Sequence, residues 1–245
     1  MFLKIKEHVI YFLGIGGIGM SALARYFLAK GYQVHGYDRT PTTLTAALEK
    51  EGMTIHYQED ETLIPVETGL VIYTPAIPES STELQYLQKS GVRMMKRAEV
   101  LGMLSSEYKT IACAGTHGKT TTSTMVSYLL QQSHVGCQAF LGGIARNFDS
   151  NLLISETSQY MVAEADEYDR SFLHLNPYIA IITSIDSDHL DIYGNHEAIE
   201  KAFSLFTENI VPGGSLILKL GLPAKLNIPE HCKVYTYALN EVADY

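Results

Sequence analysis

The sequence predicts an α/β chain made of two consecutive parallel-sheet units. Three observations carry that prediction: short apolar runs alternate with amphipathic segments, a glycine-rich turn follows the first strand of each half, and the composition is that of a folded chain. Of 245 residues, 46% are apolar and 18% charged, which is enough to bury one or two cores and unlike the charge-dense composition of disorder. The 27 acidic and 18 basic side chains give a net charge of −9. That balance argues against a nucleic-acid partner held by phosphate contacts, which needs a basic face.

His8 to Leu13 is β-rich, Ile18 to Lys30 reads as a helix, and Tyr32 to Tyr37 as a second strand. A helix is expected after Pro41, strands at Met53 to Tyr57 and Leu70 to Tyr73, a helix at Glu83 to Ser90 and a strand at Val92 to Lys96. This alternation defines a Rossmann-like unit over 1–108, whose ligands belong at the carboxyl ends of the strands. A second unit over 109–245 starts with a strand at Thr110 to Ala114 and a helix at Lys119 to Gln132. Met161 to Ala163 and Ile179 to Ser184 are apolar runs typical of buried parallel strands. His196 to Asn209 places Ile199, Ala202, Phe203 and Phe206 at helical spacing, Pro212, Gly213 and Gly214 stop it, and Leu216 to Leu220 resumes a strand.

The first 24 residues imitate a secretory leader, with early lysines and an uncharged run from Val9 to Ala24. Four glycines within the run weaken a signal helix, and no other stretch approaches the ~18 to 20 apolar residues that span a bilayer. Cys113, Cys137 and Cys232 are odd in number, widely spread and without a CxxC pair, so all three are expected as thiols. The expected location is the cytoplasm, with no membrane partner.

The strongest motif is AGTHGKTTT, Ala114 to Thr122, between a predicted strand and a predicted helix. It resembles a Walker A loop: Gly115 and Gly118 let successive N–H groups converge on phosphate oxygens at a helix N-terminus, Lys119 reaches the terminal phosphates, and Thr120 offers a hydroxyl to Mg²⁺. The match is incomplete, since the first glycine of the general pattern falls at Cys113. A tight turn without a ligand leaves the Lys119-Thr120 pair unexplained. The second motif is Gly14-x-Gly16-Gly17-x-Gly19, after the first strand, with Asp38 ending the second. That context suits a dinucleotide or other diphosphate, Asp38 accepting from a ribose hydroxyl; close helix-to-strand packing is the alternative. The acidic run Glu164, Asp166, Glu167, Asp169 follows a predicted strand and reads either as a metal-binding carboxylate or as a solvated loop. His189 lies in a stretch that is not a calcium loop, because Asp191 stands where that loop needs glycine.

Four motifs in order, GIGGIGMSALA, AGTHGKTTT, EADEYDRSFL and SDHLDIYG, together resemble the Mur ligase family over essentially the whole chain. The resemblance implies an N-terminal domain that holds the UDP part of a sugar nucleotide and a central domain that binds ATP. Gly14, Gly16, Gly17, Gly19 and Asp38 would then contact UDP. Gly115, Thr116, His117, Gly118, Lys119, Thr120 and Thr121 would wrap the ATP phosphates, with His117 also near the substrate carboxylate. The family pattern assigns Glu164 and His189, with Thr120, to Mg²⁺ and makes Lys119, Glu164 and His189 catalytic; Asp166, Glu167 and Asp169 are left unassigned.

The activity implied is ATP-dependent ligation of L-alanine to the carboxylate of UDP-N-acetylmuramate through an acyl phosphate, in peptidoglycan synthesis. The nearest alternative joins a whole tripeptide to the same sugar nucleotide. An NAD-dependent oxidoreductase leaves AGTHGKTTT unexplained, and a non-catalytic nucleotide-binding module leaves Lys119, Thr120 and Glu164 unexplained. Some relatives carry a modified lysine where Phe203 or Ser204 aligns, and Lys201 is out of register, so no carbamylated lysine is expected. The chain is roughly half a complete family member, so the end of the central domain and the C-terminal domain are expected to be absent and the fragment alone inactive.

Overall fold

The computed structural model describes residues 8–168, 170–186, 193–222 and 225–245. Contacts divide the chain into two compact units, Met1–Val100 and Leu101–Tyr245, where the sequence reading divides at 108/109.

In the first unit, β1 (Val9–Leu13), β2 (Gln33–Tyr37), β3 (Thr54–His56), β4 (Thr68–Tyr73) and β5 (Met94–Lys96) form a parallel sheet in the order β3-β2-β1-β4-β5. β1 is central and buried throughout, which is why it reads as a continuous apolar run. The strands are linked by α1 (Ile18–Ala29), α2 (Thr43–Lys50) and α3 (Thr82–Ser90). Local chemistry sets the helix ends. Thr42 and Thr45 form a capping box on α2, Ser81 caps α3 through the Leu84 N–H at 3.3 Å, and α3 stops at Gly91 in the left-handed region. α4 (Arg97–Ser105) succeeds β5 directly. It runs across the unit boundary because its second half packs within the second unit: a Cβ on Gly102 would stand 2.5 Å from the His174 carbonyl oxygen, and Ser105 O accepts from Thr110 Oγ1 at 2.8 Å.

The second unit is a seven-stranded sheet in the order β12-β11-β10-β6-β9-β7-β8. Its strands are β6 (Lys109–Ala114), β7 (Gln138–Ala145), β8 (Ser150–Leu153), β9 (Tyr160–Ala165), β10 (Ile179–Ile182), β11 (Ser215–Lys219) and β12 (Lys233–Tyr237), with α5 (Lys119–Gln132) and α6 (His196–Glu208). All pairings are parallel except β7 with β8. This sheet is therefore mixed, antiparallel at its β7–β8 edge. α6 buries Ile199, Ala202, Phe203 and Phe206 as its spacing predicts, with Phe172 stacked on Phe206 at 5.1 Å and edge-on to Phe203 at 5.3 Å. Among the described residues no helix is long and apolar enough to cross a membrane.

A buried polar chain ties the first unit together. His56 Nδ1 lies 2.8 Å from the Gln58 carbonyl, which only accepts, so Nδ1 carries a proton. His56 Nε2 lies 2.7 Å from the Tyr11 hydroxyl, which lies 2.5 Å from Glu83 Oε2, and Glu83 Oε1 accepts from Asp60 N at 2.9 Å. Tyr11 has one hydroxyl proton for two contacts. The second contact needs a proton from its partner, either an imidazolium facing a carboxylate or an imidazole facing a carboxylic acid. Both forms hold one proton more than a neutral imidazole beside a carboxylate. Glu83 is fully buried, and burial raises its carboxyl above 4.5 despite the bonds from Tyr11 and Asp60 and the charge of His56. Glu59 and Tyr37 also act on the chain, and the Asp60 carboxylate acts on it through His56.

A group whose folded pKa is raised contributes stability that is complete below its unfolded pKa and is lost as pH rises through the folded value. The unfolding free energy of the first unit is expected to fall as pH rises from 4.5, by up to about 1.4 kcal/mol per pH unit, and its urea midpoint with it. Glu83→Gln supplies the missing N–H without a titrating proton, so its midpoint should change less with pH. Identical pH slopes in the two chains would refute the proton count.

Candidate functional site

In the first unit the glycine turn joins β1 to α1. Gly14 and Ile15 N–H groups donate to Tyr37 O at 2.8 and 3.1 Å, fastening the turn to the end of β2, and Gly17 N donates to Gly14 O at 3.2 Å. Gly17 caps α1 with no side-chain bond, leaving that helix end to backbone donors. Asp38 braces the turn itself: Oδ2 accepts from Gly16 N at 2.8 Å and Oδ1 from Thr40 N at 3.2 Å. A Cβ on Gly16 would meet Thr45 Cγ2 at 2.7 Å and Asp38 Oδ2 at 2.8 Å, so only glycine lets backbone and carboxylate come this close. Gly19 faces Arg97, whose Nη1 stands 3.0 Å from where a Cβ would be. The structure thus adds a cation beside the α1 N-terminus that the sequence reading omitted, on a helix it did not identify.

In the second unit the Gly115–Gly118 turn joins β6 to α5, with Gly118 the left-handed N-cap of the helix. The segment after β10 clasps it. Thr183 Oγ1 donates to Ala114 O at 3.1 Å or to His117 O at 2.5 Å, Ser184 Oγ accepts from His117 N at 2.9 Å, and Ser184 O accepts from Thr116 N at 3.2 Å. Thr116 Oγ1 completes the clasp with Ser184 Oγ at 2.8 Å and Asp186 Oδ2 at 3.1 Å. His117 is exposed, its Nε2 3.9 Å from Asp186 Oδ2. Thr121 is exposed on the first turn of α5.

Lys119, the first residue of α5, directs Nζ back over the turn to Gly115 O at 2.9 Å and to both oxygens of Glu167 at 2.9 and 2.8 Å. Thr120 Oγ1 stands 2.9 and 3.0 Å from the two Glu164 oxygens. Glu164 lies on β9 in register with Cys113 of β6, so strand pairing alone delivers its carboxylate to the turn. Gly142 of β7 makes room: a Cβ there would lie 2.0 Å from Glu164 Oε2. Burial raises the Glu164 carboxyl, while Thr120, the Gly142 N–H and the Lys119 charge oppose that rise. Burial, with the nearby Glu164 charge, pushes the Cys113 thiol up to about 12, leaving it inert.

A hydroxyl and a carboxylate side by side are the hard oxygen donors that Mg²⁺ prefers, and the space left by Gly142 fits such a role. Among the described residues no group of three or more His, Cys, Asp or Glu side chains converges as a metal site. His189, expected as a further ligand, lies outside the described residues, as does Asp169. On α6, Phe203 and Ser204, the positions expected to stand in place of a modified lysine, are buried and Lys201 is exposed.

Each unit, taken by itself, is an α/β fold with a glycine turn between the carboxyl end of a buried parallel strand and the N-terminus of a helix, the place where such folds receive ligands. Residues 9–109 match the model described as Mur ligase family, catalytic domain, and residues 113–245 match the Mur ligase middle domain. The chain belongs to the Mur ligase family. It is 54% identical over 246 residues to a UDP-N-acetylmuramate–L-alanine ligase of Parabacteroides distasonis, covering 98% of this chain and 53% of that protein. A protein of the same description from Porphyromonas gingivalis is 51% identical over 96% of this chain and 53% of its own length. The crystal structure of a UDP-N-acetylmuramate-alanine ligase from Thermotoga maritima superposes with TM-score 0.82 at 30% identity, covering 95% of this chain and 53% of that one. The chain spans about half the length of these relatives.

Gly115 tests the clasp. Its φ of +133° excludes ordinary side chains, and a Cβ would lie 2.2 Å from Thr183 Oγ1 and 2.9 Å from Ser184 N. Gly115→Ala is expected to destabilise the second unit by about 2 to 4 kcal/mol in urea unfolding. An unchanged midpoint would show that the turn does not depend on these contacts.

Proposed function

We propose that this chain carries the two nucleotide-binding units of an ATP-dependent ligase that joins L-alanine to the carboxylate of UDP-N-acetylmuramate. The observation that carries the reading is the cluster of Lys119, Thr120 and Glu164 around the Gly115–Gly118 turn. Ligation of a carboxylate needs an activated leaving group, and this cluster is built for a triphosphate: turn amides, a lysine and two oxygen donors for a cation. The names of the relatives supply the substrates.

In this reading the muramyl carboxylate oxygen bonds to the γ-phosphorus as the bond to ADP breaks. The alanine amine then bonds to the acyl carbon, phosphate leaves, and the amine loses a proton. Catalysis is positioning and charge neutralisation. Lys119 meets the terminal phosphates as a point charge, the α5 N-terminus adds its partial positive charge, and Thr183 and Ser184 keep the turn in shape. Mg²⁺ held by Thr120 and Glu164, with His189 as the further expected ligand, would neutralise phosphate charge. In the first unit, the N-terminus of α1 and the guanidinium of Arg97 receive the UDP diphosphate, with Gly14 to Gly17 shaping the turn that leads into it. Asp38 serves that site by bracing Gly16. The three unpaired cysteines fit a reducing cytoplasm.

Calorimetric titration of the wild type and Lys119→Ala with Mg-ATP, and separately with UDP-N-acetylmuramate, tests the reading. The substitution is expected to weaken Mg-ATP at least about tenfold and leave the sugar nucleotide unchanged. Equal loss for both ligands, or for neither, would refute the assignment of one nucleotide to each turn.

A further inference from the structure

Glu167 has no role in the pattern of motifs, yet it holds the lysine of the phosphate turn. A lysine ammonium has three N–H groups, and Lys119 has three partner atoms: Gly115 O and the two oxygens of Glu167. The pair is nearly dry, with Lys119 13% and Glu167 1% exposed, so its attraction is little screened. The carboxylate also sits on a pinned backbone. Tyr193 Oη donates to Glu167 O at 2.5 Å, Arg170 N donates to the same oxygen at 2.9 Å, and the Arg170 guanidinium stacks 5.3 Å over the Tyr193 ring. Arg170 adopts φ +59° to close this turn.

We infer that Glu167 is an internal stand-in for nucleotide phosphate, an affinity-setting residue whose carboxylate occupies the two Lys119 N–H groups that a bound triphosphate takes over. The inference rests on the assignment of ATP to this turn. The Gly115 bond lies within the turn's own backbone and is compatible with a phosphate; the two Glu167 bonds are the ones a second anion displaces. Because Glu167 cannot follow the lysine into solvent, nucleotide binding carries the cost of separating a buried ion pair. The site is thereby kept satisfied without nucleotide, and its affinity is held below what the turn alone would give.

The test is titration of the 245-residue chain with ATP and Mg²⁺ in the wild type, Glu167→Gln and Glu167→Asp. Glu167→Gln keeps the size and removes the charge, and is expected to bind ATP about tenfold more tightly. Glu167→Asp keeps the charge but is one methylene shorter, and is expected to fall between the two. Structural damage weakens binding, so a gain in affinity separates this role from a merely architectural one. If the wild type binds ATP and Glu167→Gln binds it equally or more weakly, the inference is overturned and the assignment of ATP to the turn survives. If Glu167→Gln does not fold, Glu167→Asp decides alone, and unchanged or weaker binding there is equally fatal. A wild type that binds no ATP removes the assignment and the inference together.

Discussion

The Gly115–Gly118 turn does not hold its shape by itself: its Thr116 and His117 N–H groups donate to Ser184, and Thr183 bonds its carbonyls, both from the segment after the next strand over. Thr183 and Ser184 reach it because β10 is the parallel neighbour of β6, with Ile182 in register with Ala114. β9, on the other side of β6, delivers Glu164 by the same means. The functional cluster is thus a consequence of strand order and register: three adjacent parallel strands end together, and the segments leaving them meet above the sheet edge. A change in that register would move the hydroxyl clasp and the carboxylate away from the turn.

The first unit reaches a similar end by different chemistry. Its turn is fastened by backbone bonds to Tyr37 O and by the carboxylate of Asp38 on Gly16 N. The Asp38 carboxylate places a negative charge against the turn, and the Arg97 guanidinium beside Gly19 sets a positive one near the start of α1. Beneath it, the Asp38 N–H donates to His56 O at 3.1 Å, which links the end of β2 to the residue that anchors the proton-sharing chain with Tyr11 and Glu83.

Much of the fold is legible in the sequence, and the exceptions have physical causes. The buried parallel strands announce themselves as apolar runs, and α6 by its apolar spacing. The β7–β8 hairpin escapes such a reading because Gly142 and Gly143 interrupt β7, and Gly142 is there for Glu164 rather than for the strand. β12 is an edge strand with exposed Val234 and lysine at its start, so it lacks the buried pattern. α4 continues β5 with no intervening turn signal. The site shows the same division. Lys119, Thr120 and Glu164 come together as the sequence predicts, because their placement is set by motif and strand end. Asp38, expected to accept from a ribose, accepts from Gly16 N and Thr40 N, a bracing role that the motif does not announce. Glu167 and Arg97 carry no signal of their roles because their partners are distant in sequence, and no local spacing marks a lysine 48 residues away.

Backbone amide chemical shifts, monitored by NMR as each ligand is added alone, test most directly whether the two turns hold two different nucleotides. The account predicts that Mg-ATP perturbs Gly115 to Thr121 and leaves Gly14 to Gly19 unmoved, and that UDP-N-acetylmuramate does the reverse. Both ligands perturbing one turn, or Mg-ATP perturbing only the first, would contradict it.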